Sequence, residues 1–205
     1  GEKAFCAGGD LAAFDQHGDA VGAHLHEVTH YLHGAISRYA RMTLPIITAV
    51  NGVTAGGGLA FLGFPQFVLA ASSARFVSAY TKAGLSPDGS STWFLPRVIG
   101  LRRAQEFFFM NKMLTAEEAV EWGLVNKSVK ATELMDEAGS LAEMLAAGPR
   151  MAYGRIKDLL NSSLTTPLET QMDCEARYLA LSAQSLDGQI GIKSFLGKSV
   201  PDFVE

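Results

Sequence analysis

Three observations predict an α/β core followed by a purely helical region. Between residues 46 and 130, β-prone runs alternate with helical patterns, the signature of a parallel α/β arrangement. Glycine clusters punctuate these runs at Gly8-Gly9 and Gly56-Gly57-Gly58. From Ala131 onward only helical patterns remain. The expected division is therefore 1–130 for the core and 131–205 for the helical region.

The elements follow in chain order. From Ala20 to Met42, Val21, Leu25, Val28, Leu32, Ile36 and Tyr39 recur at helical spacing, and this amphipathic helix leads into Pro45. Ile46-Ile47-Thr48-Ala49-Val50 is a continuous β-prone run bounded by Pro45 and Asn51-Gly52, which predicts a buried strand. Leu59-Ala60-Phe61-Leu62 opens a helix after the glycine triplet, and further strands are predicted at 67–71 and 76–80. Leu101 to Met113 reads as a buried helix. Thr115 and Glu118 have capping-box spacing, Gly123 closes that short helix, and Leu124 to Val129 extends again. The last helices are predicted near 131–147, 149–162, 166–186 and 188–197, with Pro149 and Pro167 where two of them start.

Composition narrows the function classes. The chain has 205 residues, 48% hydrophobic and 19% charged, which is enough apolar material for a real core. A net charge of −4 and the absence of a basic stripe interleaved with aromatics argue against a nucleic-acid partner. The apolar stretches are interrupted well before a membrane span, so no membrane partner is expected. Cys6 and Cys174 lie far apart with no metal spacing, which fits reduced thiols and a cytoplasmic setting. Cys6 reads as a small hydrophobe more readily than as a nucleophile.

Two segments carry the chemistry: Phe5-Cys6-Ala7-Gly8-Gly9-Asp10-Leu11 and Asn51-Gly52-Val53-Thr54-Ala55-Gly56-Gly57-Gly58. Each offers bare backbone N–H to a bound oxygen, and the second does so at a helix start, where unpaired N–H groups suit a developing oxyanion. Other glycine motifs fail on spacing. A dinucleotide fingerprint from Gly56 meets Phe61 and then Arg75 where a small residue and an acid belong, and a P-loop ending at Gly197-Lys198-Ser199 meets Ile192. No Gly-x-Ser-x-Gly elbow is present.

Together the two segments resemble the crotonase superfamily, also called the enoyl-CoA hydratase/isomerase family. The likeness continues through Gly84-Leu85-Ser86-Pro87-Asp88, Leu95-Pro96-Arg97-Val98-Ile99-Gly100 and Gly123-Leu124-Val125. It implies a crotonase-like ββα spiral core and a C-terminal helical trimerisation region. Members carry a further strand-rich segment before the first motif, so the N-terminal part of the usual domain is expected to be absent from this chain, which starts at Gly1. The resemblance also implies an acyl-CoA thioester as partner, coenzyme A as part of that substrate, no covalently bound cofactor, and a homotrimer or dimer of trimers.

The same resemblance assigns the site. Gly9 and Gly57 supply the two oxyanion donors, with Ala7, Gly8 and Gly56 beside them. The two glutamates of a hydratase fall at Ala60 and Tyr80, neither of which transfers a proton near neutral pH, so hydration is not expected. Asp88 stands where isomerases of the family place a catalytic aspartate, although Pro87-Asp88-Gly89-Ser90 is also good turn chemistry. Apolar side chains such as Trp93 and Phe94 are expected to keep the pocket dry, while Phe61 reads as plain core. Sequence around Tyr80, Asp88 and Trp93, with Thr170-Gln171-Met172-Asp173, most resembles the 1,2-epoxyphenylacetyl-CoA isomerase-like branch.

The leading expectation is an enoyl-CoA isomerase with Asp88 as proton carrier. The alternative is a dehalogenase-like hydrolase in which Asp88 attacks an aryl carbon and His33 activates water. A third reading is a non-catalytic acyl-CoA binder. All five histidines lie between His17 and His33, and His26, His30 and His33 share a stripe beside the apolar face; solvated histidines are expected there, and no metal. Lys198 and Phe203 are candidate contacts to a neighbouring subunit's CoA.

Overall fold

A computed structural model describes residues 1–203. Positions 204 and 205 of the predicted helical region lie outside them. The chain divides into two units: Gly1–Ala40 with Ile46–Ala138, and Arg41–Pro45 with the residues from Gly139 on.

The first unit opens with β1 (Ala4–Cys6), α1 (Leu11–Gln16) and the long α2 (Val21–Arg41). Then come β2 (Ile47–Val50), β3 (Val53–Ala55), a 3-10 turn at Gly56–Leu59 and α3 (Ala60–Gly63). β4 (Phe67–Ala71), β5 (Arg75–Val77), a 3-10 turn at Tyr80–Ala83 and α4 (Ser91–Ile99) repeat that pattern. α5 (Leu101–Met110), β6 (Leu114–Thr115), α6 (Ala116–Trp122) and β7 (Lys127–Val129) complete it.

Consecutive strands go to different sheets. β1, β3, β5 and β6 form one, parallel except for the antiparallel β6, while β2, β4 and β7 form a second that is wholly parallel. Ile47 pairs with Phe67 and Val50 with Ala70 in the second sheet. Each strand pair followed by a helical segment makes one turn of a ββα spiral, as expected. Val50, Leu59, Phe76, Leu95, Phe107 and Leu114 fill the core around it.

Local chemistry explains the boundaries. Thr115 Oγ1 accepts the Glu118 N–H at 3.1 Å while Glu118 Oε2 accepts the Thr115 N–H at 2.9 Å, so the capping box forms, and Gly123 closes α6 at φ 82°. α5 stops at Met110 rather than Met113 because Asn111 takes the left-handed conformation, φ 48°. α4 carries Pro96 inside it, which hides the helix from a periodicity reading.

The strand predicted through Tyr80 ends at Val77. Ser78 turns its carbonyl to the Gly56 N–H at 3.1 Å, Ala79 adopts φ 62°, and Tyr80 opens the 3-10 turn. Tyr80 therefore sits on a turn, not a strand.

The second unit contains α8 (Arg150–Ser163), α9 (Leu168–Gln184) and α10 (Leu186–Leu196); α7 (Leu134–Ala146) carries the chain into it. Pro149 and Pro167 cap α8 and α9. Ser185 alone separates α9 from α10, its hydroxyl accepting the Gly188 N–H at 3.1 Å. Among the described residues no helix is long and apolar enough to cross a membrane.

Candidate active site

Parallel pairing of β1 with β3, Ala4 opposite Val53 and Cys6 opposite Thr54, makes the two glycine loops leave neighbouring strands at the same end. They touch. A methyl added at Gly8, itself at φ 93°, would lie 3.1 Å from the Ala55 carbonyl oxygen and 3.3 Å from the Gly57 nitrogen. Only glycine fits so close an approach at positive φ. Gly58 backs onto β1, where its Cβ would stand 2.6 Å from the Cys6 carbonyl oxygen, so Cys6 packs behind the loop.

Gly57 lies in the first turn of the 3-10 segment, whose leading N–H groups have no partner within the turn. The Gly56 N–H is bound to Ser78. Gly9 is exposed, and its N–H has no protein acceptor among the described residues. Asp10 is occupied structurally, its Oδ1 capping α1 through the Ala12 and Ala13 N–H groups.

Asp88 faces Gly57. A methyl at Gly57 would lie 3.8 Å from Asp88 Oδ1, which places the carboxylate across from the glycine triplet. The Tyr80 hydroxyl donates to the same oxygen at 2.5 Å. Tyr80 is 9% exposed, and burial first, then the bond to Asp88, raises its pKa well above the ordinary value, so it stays a neutral donor. The Asp88 carbonyl accepts from Ser91 twice, from Oγ at 2.7 Å and from N at 3.1 Å, and Ser91 is fully buried. His33 Nε2 accepts the Gly89 N–H at 3.1 Å.

Ala60 stands beneath this turn. Its Cβ would be 2.8 Å from a Cβ on Gly89, and it packs with Ile36 and Phe64. The Asp88–Gly89 turn thus packs closely over position 60.

Ala7, Gly8, Gly9, Gly56, Gly57, Tyr80, Asp88 and His33 are therefore gathered in the first unit. Trp93 follows on α4, 39% exposed, edge-on to Phe94 at 4.5 Å and 3.8 Å beneath the Arg97 guanidinium. Phe61 packs edge-on against Phe5 and Phe64, a core position. Lys198 and Phe203 belong to the second unit: Lys198 is exposed at φ 53°, and Phe203 lies against Gly191, lining a cavity of about 200 Å³ with Pro149, Ala152 and Ser182.

The histidine stripe does not converge. His17 stacks on His24 at 3.6 Å, His30 meets Tyr31 edge-on, and His33 alone reaches the Asp88 turn. Among the described residues no three metal-ligating side chains cluster. Sequence reasoning missed the Ser91 clamp and the Gly89 bond to His33, because both are fixed by backbone geometry that residue type does not announce.

The sequence model described as Enoyl-CoA hydratase/isomerase matches residues 1–205. The 1,2-epoxyphenylacetyl-CoA isomerase of Escherichia coli (strain K12) is 40% identical over 203 residues, 98% of this chain and 77% of that protein. A 4-chlorobenzoyl coenzyme A dehalogenase-1 of Arthrobacter sp is 33% identical over 152 residues, 74% of this chain and 55% of that protein. The crystal structure of an enoyl-CoA hydratase from Polaromonas sp. JS666 superposes with a TM-score of 0.93 at 33% identity, covering 100% of this chain and 79% of that one.

Proposed function

This chain belongs to the enoyl-CoA hydratase/isomerase family, and on that premise we propose that it is an enoyl-CoA isomerase that moves a double bond through an oxyanion-stabilised enolate. The substrate is an acyl-CoA thioester; CoA is its handle, and no covalently bound cofactor enters the scheme. The thioester oxygen lies between the Gly9 and Gly57 N–H groups, flanked by Ala7, Gly8 and Gly56. Asp88 removes a proton from the carbon next to the thioester, the C–H electrons pass into the enolate, and the oxyanion is held by the two donors. Asp88 then returns the proton two carbons away, and the double bond has moved.

One observation carries this reading: the Asp88 carboxylate stands across from Gly57 with Tyr80 bonded to its Oδ1, over a methyl at position 60. Hydration needs a second acid, and neither Ala60 nor Tyr80 supplies one. Tyr80 and Trp93 are placed at the acyl end, while Lys198 and Phe203 are offered to the CoA of a neighbouring subunit. Assembly as a homotrimer or dimer of trimers belongs to the proposal; sedimentation of the full chain tests it.

The similarity to a 4-chlorobenzoyl coenzyme A dehalogenase keeps a second reading in play, with Asp88 as aryl nucleophile and His33 as base for the water. The deciding experiment is incubation with a 3-enoyl-CoA in deuterated water, beside an aryl-CoA panel. The isomerase yields the 2-enoyl-CoA, with any deuterium that Asp88 has exchanged from solvent entering at the γ-carbon, and Asp88→Asn abolishes the conversion while ligand binding persists. An added aryl mass on the Asp88 peptide overturns the isomerase in favour of the hydrolase. CoA-ester binding without either reaction leaves a binding protein.

A further inference from the structure

Two consecutive residues after Asp88 are left-handed: Gly89 at φ 60° and Ser90 at φ 59°. A serine in that region is strained, and such a turn persists only when its surroundings over-determine it. The turn's carbonyls are already committed. The Asp88 carbonyl takes both Ser91 donors, the Gly89 carbonyl takes the Ser90 hydroxyl, and the Ser90 carbonyl takes the Trp93 and Phe94 N–H groups. Gly89 is buried, so its N–H needs an acceptor from elsewhere. That acceptor is His33 Nε2, on α2 and 56 positions away in sequence.

We propose that His33 is a positioning residue whose Nε2 holds the Gly89 N–H and so fixes the turn that presents Asp88. A histidine nitrogen accepts a hydrogen bond only through an unprotonated lone pair, and in that neutral tautomer Nδ1 carries the ring proton. The ring as held has no free lone pair with which to draw a proton from water. The same contact that supports Asp88 therefore removes His33 from service as a base. The catalytic consequence rests on the isomerase reading; the hydrogen bond itself does not.

The test uses the full chain, its His33→Ala and His33→Gln variants, and two independent measurements: hydrogen exchange of the Gly89 amide, and conversion of a 3-enoyl-CoA to its 2-enoyl isomer. The glutamine carbonyl reaches the position of Nε2 and accepts a hydrogen bond but is no base. In His33→Ala, Gly89 exchange accelerates and kcat falls, each by about fivefold, the effect of losing one hydrogen bond, while KM holds. His33→Gln restores both. Unchanged Gly89 protection in His33→Ala overturns the proposal, as does a glutamine variant that keeps that protection yet turns over no better than alanine. If the wild type moves no double bond, the isomerase reading falls, and Gly89 exchange alone decides for or against the hydrogen bond.

Discussion

The Tyr80 hydroxyl donates to Asp88 Oδ1 across 2.5 Å, joining the turn that leaves β5 to the turn that enters α4. A hydrogen bond to a carboxylate is worth more than a neutral one and also fixes its rotation. Tyr80→Phe keeps the ring in its buried site and deletes only the donor. We expect kcat for double-bond migration to fall by about tenfold to a hundredfold with KM little changed. A wild-type rate in that variant would show that the proton carrier needs no such tether.

The same tyrosine gives an alkaline signature. Its folded-state pKa is raised by burial and by Asp88, so the folded protein binds the phenolic proton more tightly than the unfolded chain does. The associated stability is fully present below the ordinary tyrosine value of about 10 and is lost as pH rises beyond it. Lys157 acts in the opposite sense: burial lowers its pKa, so its penalty on the folded state eases as pH approaches its ordinary value. Urea unfolding of wild type and Tyr80→Phe between neutral pH and pH ~11 separates the two contributions. The difference between the proteins should change above pH ~10 and be flat below it; a difference that tracks no pH would place Tyr80 outside the titration.

The two glycine loops are legible in sequence because glycine is the one residue that tolerates both the φ of 93° at Gly8 and its approach to Gly57. The spiral is legible in part, since β2 and β4 are continuous apolar runs. β1, β3 and β6 have three residues or fewer and leave no periodicity to read. The placement of Tyr80 is not legible, because it depends on Ala79 adopting φ 62°, a conformation that alanine does not advertise. Nor does an exposed histidine on α2 announce that its acceptor serves a glycine 56 positions on.

Placing an acid at position 60 tests whether the Asp88 turn leaves room for a second carboxylate. Ala60 is 1% exposed and packs beneath Gly89 with Ile36 and Phe64. Ala60→Glu adds volume to a filled site, at about 1–3 kcal/mol, and buries a carboxylate with no cation beside it, a further penalty. We expect a lower melting temperature and no gain of hydratase activity toward a 2-enoyl-CoA. Efficient hydration by a variant as stable as wild type would mean that the turn yields and that the site retains room for two acids.

Gly57 distinguishes the donor from the space in front of it. Unlike Gly8 and Gly56 it is not left-handed, and an added methyl would meet Asp88 Oδ1 at 3.8 Å and Gly8 Cα at 4.0 Å, both ordinary contacts. Gly57→Ala should therefore fold with stability within about 0.5 kcal/mol of wild type. The methyl nevertheless stands between the Gly57 backbone and the Asp88 carboxylate, where the proposed isomerase holds its thioester. Gly57→Pro removes the N–H itself, and losing one oxyanion donor costs about 2.7–4 kcal/mol, or two to three orders of magnitude in kcat. Both variants should lose turnover, and calorimetry should show that both still bind CoA lacking an acyl group, because the nucleotide handle does not pass between Gly57 and Asp88. Wild-type turnover by a folded Gly57→Ala would sink the assignment, since a methyl there must block any acyl group held between these two residues.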